Sequence, residues 1–193
     1  MSDRISVSPF LHWLAKLLFR LAGWSVEGGV HEPRRFVIIA APHTSNWDGV
    51  LMVVASLIFG VRLSWFLKDD AFRWPLGPLV RFFGAIPIDR SARKNVVAAA
   101  IEQFKNSSEL MLAVAPEGTR SRSEGWKSGF YRIAHGAGVP IVLGYIDYKR
   151  RVAGLGPAFV PTGDINADFR EFEKFYADIT PKHPQLRGGI FPP

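Results

Sequence analysis

The chain has 193 residues, 48% of them hydrophobic and 21% charged, and carries 24 basic against 17 acidic side chains, a net +7. That balance suits one domain with a buried core and excludes extensive disorder. The lack of cysteine excludes disulfides, thiolate metal sites, iron–sulfur clusters and a Cys nucleophile. The charge calls for an anionic partner, with nucleic acid, an anionic membrane and phosphorylated small molecules all open. Residues 90–151 hold most of the excess, 11 basic against 5 acidic. They are scattered among apolar segments rather than gathered in a basic helix, which suggests a local anion site; a solvated basic face is the plainer alternative.

Residues 9–24 have a helical period, with His12, Lys16 and Arg20 on one face and Leu, Phe and Trp around the rest. Two cations break any secretory apolar region, and the segment is short and charged for a span. It reads as an amphipathic helix lying in a membrane interface or packed on the protein's own core. Residues 36–41 form a continuous apolar, β-branched run, and 63–67, 85–88, 110–115 and 139–146 resemble it. Such runs fit strands buried on both faces. The uncharged stretch 50–61 is a core helix rather than a span. Further helices are expected over 92–105, 126–137 and 167–179, the last capped by Asp164 or Asn166. Alternating strands and helices predict an α/β fold, a largely parallel central sheet flanked by helices with an N-terminal amphipathic interfacial helix. The division expected is residues 1–30 for that helix, 31–180 for the main domain, and 181–193, with four prolines, for an irregular tail.

Three polar clusters follow apolar strands, where α/β folds place their sites. The first is Pro42-His43-Thr44-Ser45-Asn46-Trp47-Asp48. Within one regular helix, five residues rotate by about 140°, so His43 and Asp48 would not face each other. They meet if His43 lies in the loop and a helix starts at an N-cap Ser45, with Asp48 completing a capping box. Asp48 is then either a helix-start residue only, or the group that holds one imidazole nitrogen and leaves the other free as a general base. The second cluster is Gly84-Ala85-Ile86-Pro87-Ile88-Asp89-Arg90, and the third is Pro116-Glu117-Gly118-Thr119-Arg120. Gly118 permits a tight turn, and Arg90 and Arg120 at two strand ends could clamp a phosphate. A polar turn and surface ion pairs are the plainer readings.

Taken in order with Val139-Pro140-Ile141, these clusters resemble the four blocks of the glycerolipid acyltransferases, the PlsC-type enzymes, over roughly residues 35–165. Residues Lys68 to Pro75 resemble that family's linking segment. Two departures are Ala115 where the third block commonly has Phe, and Leu143 where the fourth usually has a second Pro. The resemblance implies acyl transfer from acyl-CoA or acyl carrier protein, as co-substrate, to the hydroxyl of a lysophospholipid such as 1-acylglycerol-3-phosphate. It implies His43 and Asp48 as catalytic residues and Arg90, Glu117, Gly118, Thr119, Arg120 and Lys68 around the acceptor. No cofactor or metal is implied. The partners expected are a membrane lipid surface, the lysolipid and the acyl donor, not nucleic acid. The place expected is the cytoplasmic face of the cell membrane, peripheral or monotopic. The alternatives are another lysolipid acceptor, for example an amino-acid lipid, and a His–Asp lipid hydrolase or thioesterase. Against a serine esterase stands the absence of a Gly-x-Ser-x-Gly elbow.

Overall fold

A computed structural model describes residues 7–88 and 93–193. Its centre is a seven-stranded sheet in the order β1-β7-β6-β2-β5-β3-β4. The strands are β1 (Ser25–Gly28), β2 (Arg35–Ala40), β3 (Ser64–Lys68), β4 (Ala85–Ile88), β5 (Leu110–Val114), β6 (Ile141–Asp147) and β7 (Val152–Phe159). Every neighbouring pair is parallel except β6–β7. The largely parallel α/β sheet expected from the apolar runs is therefore present.

The alternation within β2 divides the core. Val37 and Ile39 point to one face, where they meet Leu112, Ile141 and Leu143 and the helical residues Phe104, Phe130, Phe169, Phe172 and Tyr176. Those residues belong to α4 (Arg93–Asn106), α5 (Gly129–Ala137) and α6 (Ile165–Tyr176). Phe36 and Ile38 point the other way, toward Val61, Leu63, Met111 and Val142. That face is covered by α2 (Asn46–Ile58), on which α1 (Pro9–Leu21) packs through Phe19 and Ala55. A strand buried on both faces has no polar alternation to display, which is why β2 reads as a continuous apolar run.

Several elements differ from the expectation. The strand expected over 139–146 begins at Ile141, because Gly138, at φ +63°, ends α5 and the Val139 N–H turns back to the Ala134 carbonyl. Asp164, not Asn166, caps α6, accepting from the Asn166 and Ala167 N–H groups. β7 is hidden in the sequence by Gly154, Gly156 and Pro157. The two glycines are required by packing: a Cβ at Gly154 would strike the Tyr145 ring, and one at Gly156 the Phe175 ring. A short helix α3 (Leu76–Phe82) lies between β3 and β4, preceded by the 3-10 turn Asp69–Phe72. The tail contains a 3-10 turn, Pro184–Leu186, and returns to the body of the fold, where Ile190 packs on the core. No helix among the described residues is long and apolar enough to cross a membrane.

Candidate active site

The site forms at the carboxyl ends of β2 and β5. β2 ends at Ala40, and His43 lies in the loop before α2. Ser45 caps α2 with extended backbone, and its N–H is returned to the Asp48 carboxylate, completing the capping box. This local closure turns Asp48 back toward the loop. Its Oδ2 accepts from the Thr44 and Ser45 N–H groups, both at 2.8 Å, and stands 3.4 Å from His43 Nδ1. Asp48 is buried, whereas the His43 side chain keeps 26% of its surface exposed. The imidazole is thus held on its Nδ1 side, with Nε2 as the remaining nitrogen.

Two further groups support the pair. The Tyr148 hydroxyl, just past β6, donates to Asp48 Oδ1 at 2.6 Å. Its ring meets Trp24 edge-on at 5.2 Å, and Trp24 in turn contacts Phe19 of α1. Burial pushes the Asp48 carboxyl up, but the bonds from His43, Tyr148 and the Ser45 N–H outweigh it and hold the group below its ordinary value. The same contact, together with burial, raises the Tyr148 phenol and keeps it a donor. On the other side, Glu117 Oε1 accepts the His43 backbone N–H at 3.1 Å. Glu117 is only 6% exposed, and burial pushes its carboxyl up. Its Oε2 has no hydrogen-bond partner among the described residues, and Glu117 lines a small cavity with Pro42, Trp126, Tyr176 and Arg187.

Glu117, expected among the residues around the acceptor, bonds through Oε1 to the backbone of the loop that carries His43. Arg120 is exposed on the same β5 loop and donates to the Asn46 side chain, at the first turn of α2. Gly118 takes φ +65°, and a Cβ there would strike Lys127, whose side chain lies across the turn. Thr119 is exposed, and its hydroxyl accepts the Ser121 N–H at 3.2 Å. The tail contributes as well: the His183 N–H reaches the Thr44 hydroxyl, and Lys182 lies 5.3 Å over the Trp47 ring. Arg90 lies outside the described residues, and of Lys68 only the backbone, as the last residue of β3, is described. Among the described residues no group of three or more acidic or His side chains is gathered to hold a metal.

Of the residues expected from the sequence, the structure brings His43, Asp48, Glu117, Gly118 and Arg120 together at this end of the sheet, and it adds Tyr148, Asn46, Lys127 and the tail, which were not among them. Asn46 lies inside the His-x4-Asp motif and could have been singled out. Tyr148 is 100 residues from Asp48 and follows a strand with no motif of its own, so no local signal marks it.

The carboxyl-end loops of an α/β sheet thus bring together a buried Asp, a partly exposed His and, on the adjacent turn, an arginine, where folds of this class place their sites. The chain belongs to the acyltransferase family, whose model matches residues 25–145. It is 31% identical over 137 residues to a Mycoplasma pneumoniae protein named probable 1-acyl-sn-glycerol-3-phosphate acyltransferase. That match takes in 62% of this chain, which spans about half the length of that relative. The fold is similar to the crystal structure of the 1-acyl-sn-glycerophosphate acyltransferase PlsC from Thermotoga maritima, with a TM-score of 0.59 and 20% identity, covering 89% of this chain and 80% of that one.

Proposed function

We propose that the protein transfers a fatty acyl group from a thioester, acyl-CoA or acyl carrier protein, to the free hydroxyl of a lysophospholipid, 1-acylglycerol-3-phosphate above all. The observation that carries this reading is the His43–Asp48 pair, with Nδ1 held and Nε2 free. His43 Nε2 takes the proton of the acceptor hydroxyl as its oxygen bonds to the thioester carbonyl carbon. The tetrahedral intermediate collapses, the carbon–sulfur bond breaks, and the imidazolium returns the proton to the departing thiolate. Asp48 fixes the tautomer and stabilises the imidazolium without itself taking the proton. No covalent acyl-enzyme is required. Arg120 and Lys127, exposed on the loop beside Asn46, supply the positive charge that suits a phosphate headgroup. The relative's name supports a phosphorylated glycerol acceptor. A membrane surface is the natural source of that acceptor, and the apolar residues exposed along α1, among them Phe10, Trp13, Leu18 and Leu21, suit an interfacial helix.

The test is His43→Ala, assayed with acyl-CoA and lysophosphatidic acid and read by product mass. Transfer should fall by roughly 10²–10⁴-fold, the range that a positioned base contributes. Near wild-type transfer rejects the assignment of the base. Release of CoA that is equal with and without lysolipid would instead make the enzyme a thioesterase.

A further inference from the structure

The crossover between β3 and β4 holds an apolar surface that the reaction does not use. Trp74 is 87% exposed, Leu76 60%, Leu79 53% and Phe82 56%. Single exposed apolar residues are ordinary, but four large ones within nine residues form a contiguous patch of the kind that marks an interaction surface. Leu76, Leu79 and Phe82 recur every three residues along α3 and so lie on one side, while Gly77, on another side, is pressed against the Phe72 carbonyl. Among the described residues that outer side is left exposed.

Topology fixes where this patch lies. The chain moves from β2 to β3 and from β3 to β4 in the same direction across the sheet. Right-handed crossovers therefore place α2 and α3 on the same face, the face that also carries α1. β3 runs parallel to β5, and β5 to β2, so the start of α3 lies at the same end of the sheet as His43. α1, whose outer side is also apolar, thus lies on the same face as α3, over the β7 side of the sheet.

The charges around the patch identify its occupant. Residues 62–82 carry four basic side chains and two acidic ones. Arg62 lies 5.7 Å over the Phe82 ring and donates to the Phe82 carbonyl; Arg81 lies 5.3 Å over the Phe72 ring. Arg73 stands 3.5 Å from Asp70. Exposed Trp, Leu and Phe edged by arginines are the composition of a bilayer interface with anionic headgroups, where apolar tips enter the acyl boundary and guanidinium groups stay at the phosphates.

We propose that the β3–β4 crossover is a second membrane-docking element, in which Trp74, Leu76, Leu79 and Phe82 enter the interface of an anionic bilayer and Arg62, Arg73 and Arg81 meet its headgroups. It extends the membrane reading of α1. With both elements on one face, the protein lies on the membrane through that face, and the His43 end opens beside the lipid surface from which an acceptor would come.

The chain has no cysteine, so Leu79→Cys gives a single attachment point for an environment-sensitive nitrobenzoxadiazole label. Leu79 is exposed, so the fold tolerates the change. On adding vesicles of phosphatidylcholine with phosphatidylglycerol, the label should brighten severalfold, shift to the blue and be quenched by spin-labelled lipid. Arg73→Ser and Arg81→Ser in the labelled background should each weaken binding on the order of fivefold at low salt. A silent label on protein that sediments with the vesicles overturns the proposal and leaves α1 as the docking element. Equal brightening with pure phosphatidylcholine overturns the anionic preference. Brightening with protein concentration in lipid-free buffer means that a second copy covers the patch and also overturns it. None of these readouts uses turnover, so acyl transfer measured in detergent solution tests the enzymatic reading separately.

Discussion

Replacing Tyr148 by Phe deletes one hydroxyl and leaves the ring in place against Trp24. The hydroxyl donates at 2.6 Å to a buried carboxylate. A hydrogen bond to a charged group contributes about 1.5–3 kcal/mol, and Asp48 Oδ1 would lose it. For a chain of this size each kcal/mol corresponds to about 2–4 °C in Tm, so Tm at neutral pH should fall by roughly 3–12 °C. The effect on turnover should be smaller than the full bond, because Oδ2 rather than Oδ1 faces His43. A loosened Asp48 should lower kcat by about 3–30-fold and leave the acceptor KM within about twofold.

The pH dependence separates this from a general loss of packing. Asp48 has a folded pKa below its ordinary value of 3.8, so its contribution to stability is present above that value and is lost as pH falls through the lower folded pKa. The stability gap between wild type and Tyr148→Phe should therefore be widest at neutral pH and close as the solution is acidified below about pH 3.8. Thermal unfolding followed by circular dichroism across pH, with steady-state kinetics at pH 7, measures both quantities. A Tm within about 1 °C of wild type together with an unchanged kcat would refute the support assigned to Tyr148.

Glu117→Gln keeps an acceptor for the His43 N–H and removes a buried ionisable carboxyl. The folded pKa of Glu117 is raised above 4.5, so its ionised form opposes folding increasingly as pH rises through the folded value. The Gln variant should then gain on wild type in Tm as pH rises from 4.5, and a gap that narrows instead would contradict the burial argument. Arg120→Ala should raise the KM for a phosphate-bearing lysolipid by roughly ten- to a hundredfold, the worth of a charge-assisted contact, and leave an uncharged acylglycerol acceptor unaffected. Equal changes for both acceptors would place Arg120 as a brace on Asn46 rather than as a headgroup ligand.

Much of the fold is legible because it rests on local patterns. The buried strands 36–41, 63–67, 85–88 and 110–115 each correspond to an observed strand within a residue at either end. The capping box at Ser45 and Asp48 was readable because both partners lie within four residues. What escaped depends on distance. β7 needs its glycines to admit rings from β6 and α6, and β1 is a four-residue edge strand with little apolar content. α3 was missed for the opposite reason: its apolar residues face outward, so it has no core-facing stripe to detect. At the site, the motif supplied His43 and Asp48, but the groups that hold them, Tyr148 and the inward-turned Glu117, come from the ends of β6 and β5.

The distribution of charge shows how sequence neighbours can mislead. Residues 90–151 carry most of the net charge, yet the fold disperses them. Arg150 is bound to Asp147 and Glu27, at 2.7 and 3.0 Å, and supports the β6–β7 turn. Lys105 sits beside Glu102 on α4, and Arg151 lies against Gly23 beyond α1. Of the described cations in this stretch, Arg120 and Lys127 lie on the turn beside His43, and they are joined there by Lys182 from the tail, outside that stretch. The positive field at the site is therefore assembled by three loops and not by a run of residues. A side chain held over Trp47 or Gly118 acts at short range on whatever enters beside His43, whereas the exposed arginines elsewhere are screened within about 8–10 Å at ordinary ionic strength. Short-range cations on a loop cluster suit a single phosphate group better than an extended polyanion, which would need a continuous basic stripe.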